Sequence, residues 1–164
     1  MRQKKSGQLL IEAIVAISII VVGLLSVVRL LSDATAYSRV VTDQYRAVYL
    51  ASEGIEVVRS IADKNIVDTQ NGNITPWNQG LGSCASGCEV EYDSNSLRSL
   101  SGNPLRVNGT VYDYSGSVVT PFRRTITINL IGGFAMAVRS QVTWTGRNNA
   151  SFAVDLRDTF YNWR

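Results

Sequence analysis

The sequence predicts an α+β chain. One long N-terminal helix, membrane-spanning in its first half and amphipathic in its second, packs on a C-terminal antiparallel sheet of three to four strands. Three observations carry this reading. From Gln8 to Val28 the chain is apolar except for small polar residues and one charge, Glu12. Beyond that run, apolar residues keep helical spacing and no proline occurs before Pro76. In the last third, apolar and polar residues alternate with the two-residue period of strands.

The first element is the apolar run. Crossing a bilayer takes about 20 apolar residues in a helix, and residues 8–28 supply them. Arg2, Lys4 and Lys5 precede the run with no acid among residues 1–7. Basic residues ahead of a first span stay in the cytoplasm, so the remainder is predicted to be exported. Those three residues also account for the whole net charge of +3, and the rest of the chain is formally neutral. No basic nucleic-acid face is supported by that balance, and no nucleic-acid partner is predicted. Glu12 stands out because a charge within a spanning helix costs roughly 2.5–3.5 kcal/mol on insertion scales, which makes it a functional candidate. The plainer reading is an anchor that tolerates one acid near its end. A secretory signal cut after Ala34-Thr-Ala36, leaving Tyr37 first, is the rival; the length of the run and the acid inside it both argue against it.

The second element continues the helix over residues 31–63. Leu30, Ala34, Tyr37, Val41, Tyr45, Val48, Ala51, Ile55, Val58 and Ala62 follow in steps of three and four, which puts them on one face. Arg39, Asp43, Arg46, Glu53, Glu56 and Arg59 fall mostly elsewhere, and only Gly23 and Gly54 interrupt residues 8–63. A continuous helix over those 56 residues measures about 84 Å at 1.5 Å per residue. Residues 64–104 then form a loop-rich connection, with turns at Asn71-Gly72, Gly80, Gly82, Gly87 and Gly102 and a short strand at Cys88–Asp93. Exposed loops of this kind carry recognition.

The third element is the sheet of residues 105–164. Ile126, Ile128 and Leu130 alternate with polar residues in Arg124–Ile131. Gly132-Gly133 supplies a two-residue hairpin turn. Met136, Val138, Val142 and Trp144 continue the alternation, as do Phe152, Val154 and Leu156 after a turn at residues 146–149. A further strand is expected at Thr110–Tyr114. One apolar sheet face and one apolar helix stripe should pack together.

Few residues offer chemistry. Cys84 and Cys88, three residues apart, are expected to form a disulfide in an exported domain, closing a small loop that pins only its neighbourhood; two free thiols are the alternative. Zinc is not expected, since histidine and a second cysteine pair to complete four ligands are both lacking. Glu89, Glu91 and Asp93 offer oxygen ligands for calcium, but alternation on an exposed strand explains them equally, and no metal is predicted. Arg123, Arg124, Arg139, Arg147, Arg157 and Arg164 could line a basic strip, although solvated strand faces look the same. Without histidine there is no Ser-His relay, and no nucleophile elbow or phosphate loop occurs. Neither enzyme activity nor a cofactor is expected.

Lys4, Lys5, Ser6 and Gly7, followed by Leu9, Leu10, Ile11 and Glu12, resemble the N-terminus of bacterial type IV prepilins and pseudopilins. That family has a short basic leader ending in Gly and an apolar stretch with Glu as the fifth mature residue; Gln8 stands where it usually has Phe. The resemblance implies a cleaved leader (1–7), an assembly segment (8–30) and an amphipathic half-helix (31–63). It implies cleavage between Gly7 and Gln8 by prepilin peptidase, N-methylation of Gln8, and Glu12 as an assembly residue. The implied partners are other pilin subunits, inner-membrane pilus assembly machinery and, before assembly, membrane lipid. The implied location is the bacterial inner membrane, then an extracellular pilus or a periplasm-spanning pseudopilus. A minor pilin is the reading taken. A pseudopilin of a type II secretion or DNA-uptake machine, and a membrane-anchored exported binding module that never polymerises, are the alternatives.

Overall fold

The computed structural model describes residues 4–82, 84–146 and 149–162, with side chains from Gly7 onward. The chain groups into two compact units, Met1–Thr42 and Asp43–Arg164. Helix α1 spans Lys4–Gln70, so the first unit is helical wherever it is described.

The helix ends seven residues later than the sequence reading placed it. Lys64–Gln70 contains neither glycine nor proline, and the first residue suited to a left-handed turn is Gly72, at φ +94°. The chain stops there with two bonds that satisfy terminal carbonyls: Asn73 N–H donates to Asp68 O at 3.1 Å and Gly72 N–H to Thr69 O at 3.2 Å. This is the Schellman arrangement.

Eight strands follow: β1 (Cys88–Glu89), β2 (Arg98–Ser99), β3 (Arg106–Asn108), β4 (Val111–Asp113), β5 (Val118–Val119), β6 (Arg123–Ile131), β7 (Ala135–Thr145) and β8 (Ser151–Tyr161). They form two antiparallel sheets, one of five strands in the order β2-β1-β6-β7-β8 and one of three in the order β4-β3-β5. The β6-β7-β8 meander lies where alternation put it. Three details differ. The strand expected at Cys88–Asp93 keeps only Cys88–Glu89, because Ser94 N–H bonds back to Glu91 O and turns the chain away. The strand expected at Thr110–Tyr114 forms as β4, but in the smaller sheet. Gly109, at φ +64°, makes a tight β3-β4 hairpin, and the Asp113 carboxylate accepts N–H bonds from Ser115 and Gly116, folding the segment on itself. Finally, Ile131 pairs with Ala135, so the β6-β7 turn contains three residues, with Gly132 left-handed at φ +57°, rather than the Gly132-Gly133 pair alone.

Within the second unit the core lies between α1 and the main sheet. Ala47, Leu50, Ala51, Ile55, Val57, Val58, Ile61 and Ala62 are buried on the helix. Ile126, Ile128, Met136, Val138, Val142 and Trp144 are buried on β6 and β7. Full burial of one such large side chain contributes about 1.5–3 kcal/mol. The buried stripe is shorter than the spacing suggested: Leu30, Ala34, Tyr37, Val41, Tyr45 and Val48 are exposed, and of the predicted stripe only Ala51, Ile55, Val58 and Ala62 are buried. Periodicity marks a face but not how far a sheet covers it. Gly54 faces the sheet closely, and an added Cβ there would lie 2.7 Å from both Ile126 Cδ1 and Ser140 Oγ.

Candidate functional site

The predicted assembly residues all lie on α1. Its N-terminal part is long and apolar enough to cross a membrane, with mean hydropathy 2.8 over its most apolar stretch. Leu9, Leu10, Ile11 and Ile14 are more than half exposed, as are most large apolar residues up to Leu31. The hydroxyls in and just after this segment are satisfied within the helix: Ser18, Ser26 and Ser32 donate to the carbonyls of Ile14, Val22 and Val28 at 2.7, 2.8 and 3.0 Å. Such back-bonding lets a hydroxyl sit in lipid without an unmet bond. Glu12 differs. It is exposed, and among the described residues it takes no hydrogen bond or ion pair. A Cβ added at Gly7 would touch nothing within 4 Å, so no packing in this chain calls for glycine there. Gln8, the next residue, is likewise exposed. The side chains of Arg2, Lys4, Lys5 and Ser6 lie outside the described residues.

Cys84 and Cys88 are joined as a disulfide with a Cα–Cα distance of 5.5 Å. Both are buried in the core cluster that contains Leu81, Val90, Ile126 and Ile128. Cys84 O also accepts the Ile128 N–H at 3.1 Å. The bridge therefore belongs to a loop seated on β6, not to an isolated surface turn; cysteine spacing alone carries no information on burial.

Glu89 is buried, contrary to an exposed alternating strand. Its carboxylate accepts the N–H groups of Ser101 and Gly102, each at 2.9 Å, and holds that loop against β1. Glu91 instead pairs with Arg98. Among the described residues no group of three or more Asp, Glu, His or Cys could hold a metal ion.

The arginines do not form a strip. Arg124 is buried at 1% exposure; its Nη1 donates to Leu50 O at 2.9 Å and Glu53 Oε1 at 2.8 Å, and its Nη2 to Val90 O at 2.6 Å. This tie between sheet, helix and loop was missed in the sequence, though the signal existed: residue 124 shares the parity of Ile126 and Ile128 and so faces inward. Arg123 donates to Gly102 O at 2.9 Å. Arg139 and Arg157 converge on Asp155, and the hydrogen bond from Arg139, followed by that from Arg157, holds the Asp155 carboxyl down at about 2. Near Arg124 and Arg98, burial pushes the Tyr114 phenol up to about 12 despite the charge of Arg124. Arg147 and Arg164 lie outside the described residues.

The structure thus keeps Gly7, Gln8 and Glu12 on one helix, and places the disulfide in the packed second unit. No family model, curated protein or solved structure matches the chain.

Proposed function

We propose that this chain is a structural subunit, a minor pilin, of a type IV pilus-like filament. In this reading prepilin peptidase cuts between Gly7 and Gln8 and Gln8 is N-methylated. The inner-membrane assembly machinery then moves the chain from lipid into a filament, where its first helix packs against those of other pilin subunits. The observation that carries this is Glu12, a carboxylate without a partner among the described residues, set in an exposed apolar helix five residues after Gly7. An isolated carboxylate in lipid is unfavourable, and a neighbouring subunit's new N-terminal ammonium would relieve it only on assembly. Glu12 then acts as a register device. The role is structural, with neither catalysis nor nucleic-acid binding.

N-terminal sequencing of the protein recovered from membranes, with intact mass, tests this. The expected start is residue 8 carrying one added methyl group. A start at Met1 would favour a membrane-anchored module that never polymerises, and a start at Tyr37 an ordinary secretory signal; either overturns the proposal.

A further inference from the structure

The main sheet has an open edge beside a groove. β8 pairs along its eleven residues with β7, and among the described residues no strand lies on its other side. Gly146 N–H donates to Ala150 O and Asn162 N–H to Phe134 O, which fixes the even-numbered positions as those bonded to β7. Ala153, Asp155, Arg157 and Thr159 therefore turn their backbone N–H and C=O groups outward. Of these, the Thr159 N–H is capped by the Asp158 carboxylate at 2.8 Å.

Next to the end of this edge, Arg59, Ala62, Asp63 and Ile66 present one face of α1 across a cavity of about 320 Å³. Trp77 and Phe160 give the cavity an aromatic lining, and Arg59 lies over the Phe160 ring at 5.1 Å from its centre. A second cavity of about 320 Å³ shares Ile66 and Trp77 and extends the trough toward Pro76. Its charge is uneven. Arg59 is held by Asp158 at 2.7 Å and by Glu56 at 2.9 Å, whereas Asp63 has no hydrogen bond or ion pair among the described residues. Among the described residues the lining therefore carries one carboxylate more than it has cations.

We propose that this groove binds an extended polypeptide segment of a partner protein as a sixth strand beside β8, with apolar side chains over Trp77 and Phe160 and a basic side chain toward Asp63. Main-chain bonds to an open edge supply affinity in this mode, and alternate side chains in the adjoining groove supply specificity. The excess carboxylate selects a basic over an acidic segment. The proposal is independent of the filament reading, since it concerns the unassembled chain.

The test uses the full chain in lipid nanodiscs, with empty nanodiscs as background. The probe is a fluorescent peptide, Thr-Leu-Thr-Lys-Thr-Leu-Thr, read by anisotropy. Saturable binding is expected, weakened about tenfold when the peptide lysine is replaced by glutamate. Binding should be lost when alternate peptide amides are N-methylated to block strand pairing. Asp63→Asn should bring the lysine and glutamate peptides to within about threefold of each other. Arg157→Pro, which removes an outward N–H that Asp158 does not cap and leaves the β7 ladder untouched, should weaken binding. Absence of saturable binding overturns the proposal, as does equal binding by the N-methylated peptide, and neither readout depends on a variant folding.

Discussion

Arg124 on β6 reaches Glu53 on α1, Nη1 to Oε1 at 2.8 Å, while the same nitrogen donates to Leu50 O and Nη2 donates to Val90 O. One guanidinium thus joins helix, sheet and connecting loop inside the packed unit. Its planar fork suits three acceptors in a way a lysine ammonium does not.

Arg124→Met should therefore destabilise the second unit by about 2–3 kcal/mol, because the buried Val90 carbonyl loses its donor and Glu53 its cation, while Leu50 O keeps its helical N–H. The cost stays below the extreme for a buried ion pair because Glu53 keeps 32% of its side chain in water and remains solvated. Thermal unfolding followed by near-ultraviolet circular dichroism checks this. Arg124→Lys should fall between the variant and the parent.

Gly54→Ala removes an interior-helix glycine, which alone would gain about 1 kcal/mol. The new methyl would lie 2.7 Å from Ile126 Cδ1 and Ser140 Oγ, and 3.1 Å from Arg124 Cδ. Overpacking of that kind costs about 1–3 kcal/mol, so a net loss of stability is expected. A rise in the melting temperature would show that the helix can shift off the sheet.

For the disulfide, replacing Cys84 and Cys88 together with alanine should cost about 2 kcal/mol, the chain-entropy value for so short a loop. Both sulfurs are buried, so reductant without denaturant should leave the bond intact. Thiol titration of the native and unfolded protein measures this directly.

The acid limb of stability should depend on Asp155. Its folded carboxyl titrates near 2 against an ordinary 3.8, so the stabilisation is complete above the ordinary value and disappears as pH falls through about 2. Solvent screens the cluster, which limits its contribution to about 1 kcal/mol or less. Asp155→Asn should lower stability at pH 7 by that amount, change little near pH 2 and so flatten the fall in melting temperature between pH 4 and pH 2, as scans across that range would show.

On the proposed filament role, Glu12→Leu should leave membrane insertion unchanged and impair incorporation into filaments. Membrane fractionation and immunoblotting of sheared surface filaments separate the two effects. Normal incorporation would remove Glu12 from any role in assembly.

Much of the architecture was legible in local pattern. The apolar run, the absence of proline before residue 76 and the alternation in β6, β7 and β8 each bias the chain over a few neighbouring residues, so the long helix and the meander could be read directly. The helix end was misplaced because polar residues at 64–70 resemble a loop in composition, whereas the real stop needs a left-handed residue and falls at Gly72. The separate three-stranded sheet was not legible. Its strands are two or three residues long, and their pairing depends on the turns at Gly109 and Asp113. At the candidate site the sequence identified the Cys84–Cys88 pair as a disulfide. It did not identify the seating of Cys84 on Ile128, the inward turn of Glu89 or the burial of Arg124.

The sequence by itself determined which segment is apolar enough for lipid, where its single carboxylate stands, and which strand residues share a face. These are short-range properties of periodicity and charge. Only the tertiary structure decided how far up the helix burial begins, which polar side chains are drawn inside, and which sheet edge stays open. Those outcomes depend on groups distant in sequence meeting in space: Arg124 is stable in the interior because Leu50, Glu53 and Val90, each more than thirty residues away, converge to accept its bonds.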